Sequence, residues 1–478
     1  MASDSPSPRT VQLDKAERER LEDVVAEMRG RVEDNVAFQL TQRGLDEEPE
    51  DVGALDGETR RLVEAIELEA ADGDSWSAAV EGYVTSVGYT VVNRLAALRC
   101  MEVRNFLDEE VTVFTDAGLT PAAETLVHEE FMLEEEAILE AYHDACDDLA
   151  AEIEILFDRS SEYSLLDPDD DTFEDLCGML DSVPDAVWRA DDVLGWVYEY
   201  YNTSELSDVR TRAHRGAMTI EDVSVANQFY TPHWVVRTLT DNSLGKLYLE
   251  RQDPDSDPPM DSDGLSPDER RRRSGDAVAT DSVAGYCTYL TGGTEGRATG
   301  EIDPEELSVI DPACGSGHFL LYAFDVLERI WWEQRPDLDR AEIPELILEN
   351  NLFGVDIDLR AAQLAAFNLY LKARSRAEDE GADGFTLPPV GIVCADAKIT
   401  DVDEATAVFD EVAEGRPAVR DALEELVTEF ENIHGLGSLL NVHETLSETF
   451  LESGSERQLR LDADWGDDLT LSAFLSTL

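Results

Sequence analysis

The stretch LSVIDPACGSGHFLL, Leu307–Leu321, decides how the rest of the chain is interpreted. A short apolar run ends in Asp311, glycines follow at positions 315 and 317, and a long amphipathic run begins at His318. This order predicts a strand, a tight glycine turn and a helix. Such a turn lets a ligand approach the main chain closely and points the N–H groups of the helix start at it. The Asp311 carboxylate at the strand end favours a ligand with a cationic amine over a bare phosphate.

Two more strand–helix units are predicted after this turn. A strand over Leu352–Val355 ends at Asp356, and a helix follows from Leu359 to Arg376. A third strand over Val390–Cys394 ends in Ala395-Asp396. Alternating strands and helices with an acid at each strand end are typical of an open parallel sheet, whose ligand lies at the carboxyl ends of the strands. Three strands are too few for a complete doubly wound sheet, so the predicted fold class is a partial Rossmann-like α/β domain.

The three acids at the strand ends predict one kind of ligand. Asp311 and the glycine turn would hold an amine-bearing tail. Asp356 would accept hydrogen bonds from two ribose hydroxyls, and Asp396 would accept one from an exocyclic adenine amine. S-adenosylmethionine combines an amino acid, a ribose and an adenine. The rival is a nicotinamide dinucleotide, but its fingerprint requires a third glycine where this chain has Leu320, and it gives no reason for Asp311.

Acidic residues dominate the composition of the chain. There are 107 acidic and 37 basic residues among 478, for a formal net charge of −70 that is spread over every segment. The aliphatic and aromatic content argues against a disordered acidic protein, so we interpret the charge as a halophilic adaptation to molar salt. Because the Debye length at ~1 M salt is about 3 Å, the negative total does not exclude a nucleic-acid partner.

Cysteine usage and hydropathy bear on the cellular compartment. The six cysteines show no CxxC pairing and no metal-ligand spacing with the seven histidines, which predicts free thiols, a reducing cytoplasm and no metal site. No apolar run approaches the ~18 residues of a membrane span. The N-terminal residues also contain no apolar signal core, so we expect a cytoplasmic protein without a membrane partner.

Helical periodicity and chain breakers divide the sequence into four parts. Residues 1–57 are predicted to be an acidic, helical and partly disordered N-terminus. Residues 58–220 are predicted to form a mostly helical domain, in which one long periodicity runs from Glu124 to Leu156. Residues 221–400 are predicted to hold the ligand, with an exposed insert over the Pro-, Asp-, Ser- and Gly-rich residues 250–300. Residues 401–478 return to a helical pattern.

Four segments, in chain order, resemble the motifs of adenine-specific DNA methyltransferases. They are NQFYTPHWVV from Asn227, DPACGSGHF from Asp311, GVDIDLRAAQLAAFNLY from Gly354 and GIVCADA from Gly391. The resemblance implies that residues 221–400 are an incomplete methyltransferase domain that binds S-adenosylmethionine and serves an enzyme acting on DNA. It also implies a set of residues that contact the cofactor: Tyr230, Thr231, Pro232, Asp311, Gly315, Gly317, Asp356 and Asp396, with Phe319 packing in the same pocket.

Three further segments narrow the resemblance. They are similar to segments of the large methyltransferases of bacteriophage-exclusion (BREX, PglX-like) systems: YTVVNRLAALRCMEVR (Tyr89–Arg104), LGWVYEYYN (Leu194–Asn202) and FENIHGLGSLL (Phe430–Leu440). Each of them alone is typical of an amphipathic core helix. The alternative within the same chemistry is the methyltransferase part of a fused restriction–modification enzyme.

The chain departs from the family at the catalytic step. The amine of adenine is a poor nucleophile, so the target base is flipped out and its amino hydrogens are held by oxygen acceptors. In this family a D/N-P-P-Y/F segment does that, and neither DPPM (Asp257–Met260) nor LPPV (Leu387–Val390) fits it. We therefore expect no catalytic residue in this chain, and interpret it as the cofactor-binding N-terminal portion of a larger enzyme, inactive alone. Its expected partners are double-stranded DNA through the complete enzyme, a complementary C-terminal chain and other phage-defence proteins.

Two hypotheses outside this enzyme class stay open from the sequence. One is a non-catalytic interaction protein of a defence complex, in which the cofactor fold is vestigial. The other is methylation of RNA or protein instead of DNA. Binding of S-adenosylmethionine by the purified chain separates the vestigial fold from a working cofactor site.

Overall fold

A computed structural model describes residues 13–69, 75–203, 209, 212, 231–252, 264–277, 280–292, 300, 302–382 and 384–395. Among these residues no helix combines the length and the apolar character needed to cross a membrane. The described residues from 13 to 203 and from 231 to 395 belong to one compact unit. Several predictions concern residues outside the described ones and stay predictions: the disordered start of the chain, Tyr230, Asp257–Met260, Asp396, the helical pattern of residues 401–478 and the segment Phe430–Leu440.

Nine helices are described between residues 13 and 203. They are α1 (Lys15–Gln42), α2 (Gly57–Glu69), α3 (Trp76–Glu102), α4 (Pro121–Glu129), α5 (Glu134–Ala150), α6 (Glu154–Phe157), α7 (Asp170–Asp181), α8 (Asp185–Trp188) and α9 (Val193–Tyr201). Helix α1 begins with a capping box between Asp14 and Glu17. Its buried side chains recur every three to four residues, which is the stripe that an amphipathic helix turns to a core: Leu21, Val25, Met28, Val32, Val36 and Leu40.

The periodicity from Glu124 to Leu156 predicts one long helix, and that prediction is wrong. The chain forms three helices there, α4, α5 and α6. Between α4 and α5, Phe131 has a φ of +60°, a left-handed conformation that a right-handed helix does not accommodate. The Phe131 side chain is 87% exposed, so the break also removes this ring from the apolar face that the periodicity implied.

Three parallel strands form the sheet. They are β1 (Val309–Asp311), β2 (Leu352–Asp356) and β3 (Gly391–Cys394), in the spatial order β1-β2-β3. Ile310 lies opposite Phe353, and Asp356 lies opposite Cys394. Asp311 and Asp356 are each the last residue of their strand, at the carboxyl edge of the sheet. The predicted parallel sheet with an acid at the strand end is confirmed for these two residues.

Helices precede and connect the strands. They are α10 (His233–Thr240), which continues through a π-helical turn (Asp241–Gly245) into α11 (Lys246–Gln252), then α12 (Pro267–Ala277), α13 (Val283–Tyr286), α14 (His318–Gln334), α15 (Ile343–Asn350) and α16 (Leu359–Asp379). Helices α14 and α15 lie in the crossover from β1 to β2, and α16 lies in the crossover from β2 to β3. Parallel strands need such crossovers because a tight turn cannot return the chain to the same edge.

Helix α16 is shared by two hydrophobic cores. One set of its buried side chains packs with the helices of residues 13–201: Leu364, Phe367, Tyr370 and Leu371. Another set packs with α14, α15 and the strands: Ala365, Leu369 and Ala373. A buried ion pair joins the same parts, because Lys372 Nζ lies 2.9 Å from Asp325 Oδ2 on α14 and 3.1 Å from Asp191 Oδ2 just before α9.

Residues 250–300 are predicted to be an exposed insert. That prediction is wrong for the segment VAGYCTYL, residues 283–290. Val283, Tyr286, Cys287 and Leu290 are buried in the core around α14. The Tyr286 hydroxyl donates to Asp325 Oδ2 at 3.0 Å. The prediction failed because polar residues on both sides dominate the composition of this region. The short apolar segment between them packs in the core around α14.

Replacing Gly317, the residue before α14, with alanine is expected to destabilise the fold by about 2–4 kcal/mol, from backbone strain and overpacking together. Gly317 has a φ of +87°, and an added Cβ would lie 3.2 Å from both Cα and Cβ of Ala365 on α16. The matched control is Gly118→Ala, since Gly118 has a φ of +85° but, within the described part of the chain, no atom lies within 4 Å of the added Cβ. Urea unfolding in molar KCl measures both variants, and equal losses would show that the approach of α16 does not matter.

Candidate functional site

The glycine turn after β1 is held by the Asp311 side chain, by β2 and by α16. Asp311 Oδ1 accepts a hydrogen bond from Ala313 N at 3.1 Å, and Cys314 N donates to the Val355 carbonyl of β2 at 2.9 Å. The Asn368 side chain on α16 donates to the Ser316 carbonyl at 2.9 Å. Gly315 has a φ of +53°, and an added Cβ there would meet no atom of the described residues within 4 Å. The turn therefore leaves open space beside Gly315 while its other side is packed.

The carboxylate of Asp356 connects the strand ends. Its Oδ2 accepts from Gly315 N at 2.7 Å, and its Oδ1 accepts from Asp358 N at 2.9 Å. The Asp356 carbonyl accepts from Ala395 N, just past β3, at 2.7 Å. The structure thus brings together the glycine turn, Asp356 and the residue that directly precedes Asp396. Each carboxylate oxygen keeps a second lone pair that a ligand hydroxyl can use.

The two acids make this edge of the sheet electronegative. Burial raises the pKa of Asp311, the Ala313 N–H lowers it, and the charge of Asp356 raises it again. Burial, followed by the charges of Asp356 and Asp311, raises the pKa of the Cys314 thiol to about 12, so this buried sulfur stays protonated. A positively charged ligand group would relieve the repulsion between the two carboxylates.

The residues Thr231 and Pro232 lie directly before α10, and a pair of histidines joins α10 to the glycine turn. The rings of His233 and His318 stack with centroids 5.6 Å apart, and His233 Nδ1 lies 3.4 Å from His318 Nε2. His318 is the first helical residue after Gly317. Arg237 Nε donates to His233 Nε2 at 2.9 Å, so the proton of a neutral His233 is on Nδ1, facing His318. The helix that follows Thr231 and Pro232 therefore adjoins the glycine turn.

Phe319 lies in the first turn of α14. It is partly exposed and packs against the core around α14, which agrees with an ordinary first-turn core residue. Three other residues of the site were missed by the sequence reasoning: His233, His318 and Asp358. His233 directly follows Pro232, and His318 directly follows Gly317. Asp358 is two positions after Asp356, so closeness in sequence to a predicted site residue was the available signal.

Comparison with known proteins bears on what this site serves. Residues 299–396, which include β1, β2, β3 and the glycine turn, match the N-6 DNA Methylase family. The chain is 34% identical over 317 residues to "Adenine-specific methyltransferase BrxX" of Escherichia coli O9:H4 (strain HS), an alignment that covers 62% of this chain and 24% of that protein. The predicted resemblance is confirmed.

Two further relatives extend the comparison. "Adenine-specific methyltransferase PglX" of Lacticaseibacillus casei (strain Zhang) is 29% identical over 336 residues, which cover 63% of this chain and 26% of that protein. A "Putative type II restriction enzyme and methyltransferase" of Methanocaldococcus jannaschii is 39% identical over 71 residues, 14% of this chain and 6% of that protein. The chain spans about a quarter of the length of the BrxX and PglX relatives that it matches.

The histidine pair predicts a pH dependence of stability. Burial, with smaller effects from nearby cations, lowers the pKa of His233 to about 2, and burial lowers that of His318 to about 4, against 6.5 for a free histidine. The unfolded chain therefore binds protons that the folded chain does not. Their contribution to stability is fully present above pH 6.5 and is lost as the pH falls toward 4, by about 1.4 kcal/mol per pH unit for each histidine.

The measurement is urea unfolding between pH 7 and pH 4 in molar KCl. In His318→Gln, the free energy of unfolding is expected to fall less steeply with decreasing pH, by about the contribution of one histidine. His128→Gln is the control, since the His128 side chain is 73% exposed on α4, and it should keep the slope of the unmodified chain. A His318→Gln slope equal to that control would contradict the buried neutral pair.

Proposed function

We propose that this chain supplies the S-adenosylmethionine-binding part of an adenine-specific DNA methyltransferase that acts in phage defence. The observation that carries the proposal is the hydrogen bond from Gly315 N to Asp356 Oδ2 at 2.7 Å, at the carboxyl edge of the sheet. It joins the glycine turn to the acid of the next strand inside the segment that matches the N-6 DNA Methylase family. The relatives with the longest alignments reported above carry the name adenine-specific methyltransferase.

The residues of the site fit this cofactor in three respects. The open space beside Gly315 admits a ligand close to main-chain N–H groups. Asp356 retains lone pairs for ribose hydroxyls, and Asp311 lies half-buried at the end of β1 for the amine of the methionine part. We assign Tyr230, Thr231 and Pro232 to the methionine end from above, Gly315 and Gly317 to the same end from below, and Asp396 to the adenine amine.

The bound cofactor would supply a methyl group on a positively charged sulfur. The protein groups around it bind and orient: Asp311 and Asp356 supply negative charge, and the glycine turn supplies N–H donors. These residues do not hold the acceptor base. The 478 residues contain no D/N-P-P-Y/F segment, so we propose that a segment of another chain or of a longer protein provides that loop and the contacts to double-stranded DNA.

A fused restriction–modification enzyme is a weaker candidate than a BREX-type methyltransferase. Similarity to the Methanocaldococcus protein covers 14% of this chain, against 62% for BrxX. The BrxX alignment therefore extends well beyond the 98 residues of the family match at 299–396. Other phage-defence proteins are accordingly the partners that we propose.

Removing the charge of Asp356 tests the cofactor site. Asp356→Asn is expected to weaken binding of S-adenosylmethionine about 10- to 100-fold, since a hydrogen bond to a charged group contributes about 1.5–3 kcal/mol. Isothermal titration calorimetry in molar KCl measures the affinity, with the melting temperature recorded for each variant. Asp116→Asn, at an exposed acid, is the control and should bind like the unmodified chain. Failure of the unmodified chain to bind at millimolar cofactor would refute the proposal and favour a vestigial fold.

The missing acceptor loop predicts a second result. The purified 478-residue chain is expected to transfer no methyl group to adenine in duplex DNA, because its sequence contains no D/N-P-P-Y/F segment to hold a flipped base. Transfer of tritiated methyl groups from the cofactor to DNA measures this directly. Addition of a polypeptide that carries a D/N-P-P-Y/F segment from a BREX methyltransferase should restore transfer. Robust methylation by the chain alone would contradict the division of labour proposed here.

A further inference from the structure

Two segments that resemble BREX methyltransferases lie far from the cofactor motifs in sequence, yet they meet the site in space. Tyr89 is on α3 and Tyr198 is on α9, and their ring centroids lie 6.0 Å apart. The Tyr89 hydroxyl donates to the Tyr198 carbonyl at 3.3 Å. Tyr198 contacts Asp358, two residues after the end of β2, and Tyr89 contacts Arg360 in the first turn of α16.

Asp358 is the point of contact. The Tyr198 hydroxyl donates to Asp358 Oδ2 at 2.9 Å, and Arg360 donates to Asp358 Oδ1 through its main-chain N at 2.9 Å and its Nε at 3.0 Å. The Arg360 guanidinium carbon lies 4.5 Å from the centroid of the Tyr89 ring. The side chain of Asp358 is only 12% exposed. Burial raises the pKa of Asp358, but the opposing effects, of which the Arg360 charge is the largest, hold that pKa below its usual value.

The fixed position of Asp358 is transmitted to Asp356 through the main chain. Asp358 N donates to Asp356 Oδ1 at 2.9 Å, while Asp356 Oδ2 accepts from Gly315 N at 2.7 Å. Three consecutive hydrogen bonds therefore run from the Tyr198 hydroxyl through Asp358 and Asp356 to the glycine turn. A shift of the Asp358 peptide would rotate the carboxylate of Asp356 and redirect its free lone pairs.

We propose that Tyr198, which packs against Tyr89, is a positioning residue for the ribose-binding carboxylate of Asp356. The helical part of the chain then determines how well the site recognises the ribose hydroxyls of the cofactor. This inference rests on the proposed function, since it concerns the same cofactor site. It gives the two segments a role at the site, where each alone had the pattern of an ordinary core helix.

The test compares two ligands and four chains. S-adenosylhomocysteine and its 2′,3′-dideoxyribose analogue, which lacks both ribose hydroxyls, are titrated into the full 478-residue chain by calorimetry in molar KCl. The unmodified chain is expected to prefer the ribose form. Tyr198→Phe should weaken binding of the ribose form about 5- to 20-fold, as expected for losing part of a hydrogen bond to a charged group, and should leave binding of the dideoxy form nearly unchanged. The ratio of the two affinities is the decisive quantity, because a general loosening of the fold would weaken both ligands alike.

The matched control is Tyr83→Phe. The Tyr83 side chain is buried on α3 and its hydroxyl donates to the Glu162 carbonyl at 3.0 Å, so the substitution removes a comparable bond within the helical part. It should keep the affinity ratio of the unmodified chain. Asp358→Asn is a second variant of the link, since asparagine caps a helix as well as aspartate does while its bonds to Tyr198 and Arg360 are weakened. It should lower the ratio in the same direction as Tyr198→Phe.

The outcomes separate this inference from the proposed function. An unchanged ratio in both Tyr198→Phe and Asp358→Asn, or an equal loss for both ligands, would overturn the positioning role while leaving cofactor binding intact. A Tyr83→Phe ratio as low as that of Tyr198→Phe would overturn it too. Absence of binding to the unmodified chain would overturn both proposals together.

Discussion

The carboxylate of Asp356 holds the candidate site together. The two carboxylate oxygens accept hydrogen bonds from Gly315 N and Asp358 N, and the main-chain carbonyl of Asp356 accepts one from Ala395 N. Each of these bonds ends at a different segment: the turn before α14, the start of α16 and the end of β3. Main-chain N–H groups at such turns need acceptors, and a carboxylate is a stronger acceptor than a neutral group. Asp356 therefore fixes, through its side chain and its main-chain carbonyl, the relative positions of the segments that would surround the ligand.

The helical part of the chain contributes to the site through direct contacts. Tyr198 reaches Asp358, and Lys372 on α16 bridges Asp191 before α9 to Asp325 on α14. Lys372 is almost fully buried, and removing one partner of a buried ion pair strongly destabilises the folded protein. The segment Leu194–Asn202, which resembles BREX-type methyltransferases, is thus in direct contact with the segment that contains Asp356 and Asp358.

Local pattern was enough to predict the strands, the glycine turn and the acids Asp311 and Asp356. In these places adjacent residues determine the conformation: a glycine with positive φ, an acid at a strand end and a helix directly after it. The link from Tyr198 to Asp358 was beyond such reasoning, because the two residues are 160 positions apart and their meeting depends on packing. Residues 283–290 were misjudged for a related reason, since their burial comes from α14 and not from their own sequence neighbourhood. The break between α4 and α5 at Phe131 contains no glycine or proline, so the sequence pattern does not indicate it.

The sharing of α16 between two cores has a consequence for cooperativity. Leu364, Phe367, Tyr370 and Leu371 are buried by the helices of residues 13–201, and burying a side chain of this size contributes about 1.5–3 kcal/mol. A fragment restricted to residues 231–395 would present these four side chains to water along one face of a helix. Native-state hydrogen exchange would accordingly find the amides of α16 among the last to open, since the helix is released only when both cores give way.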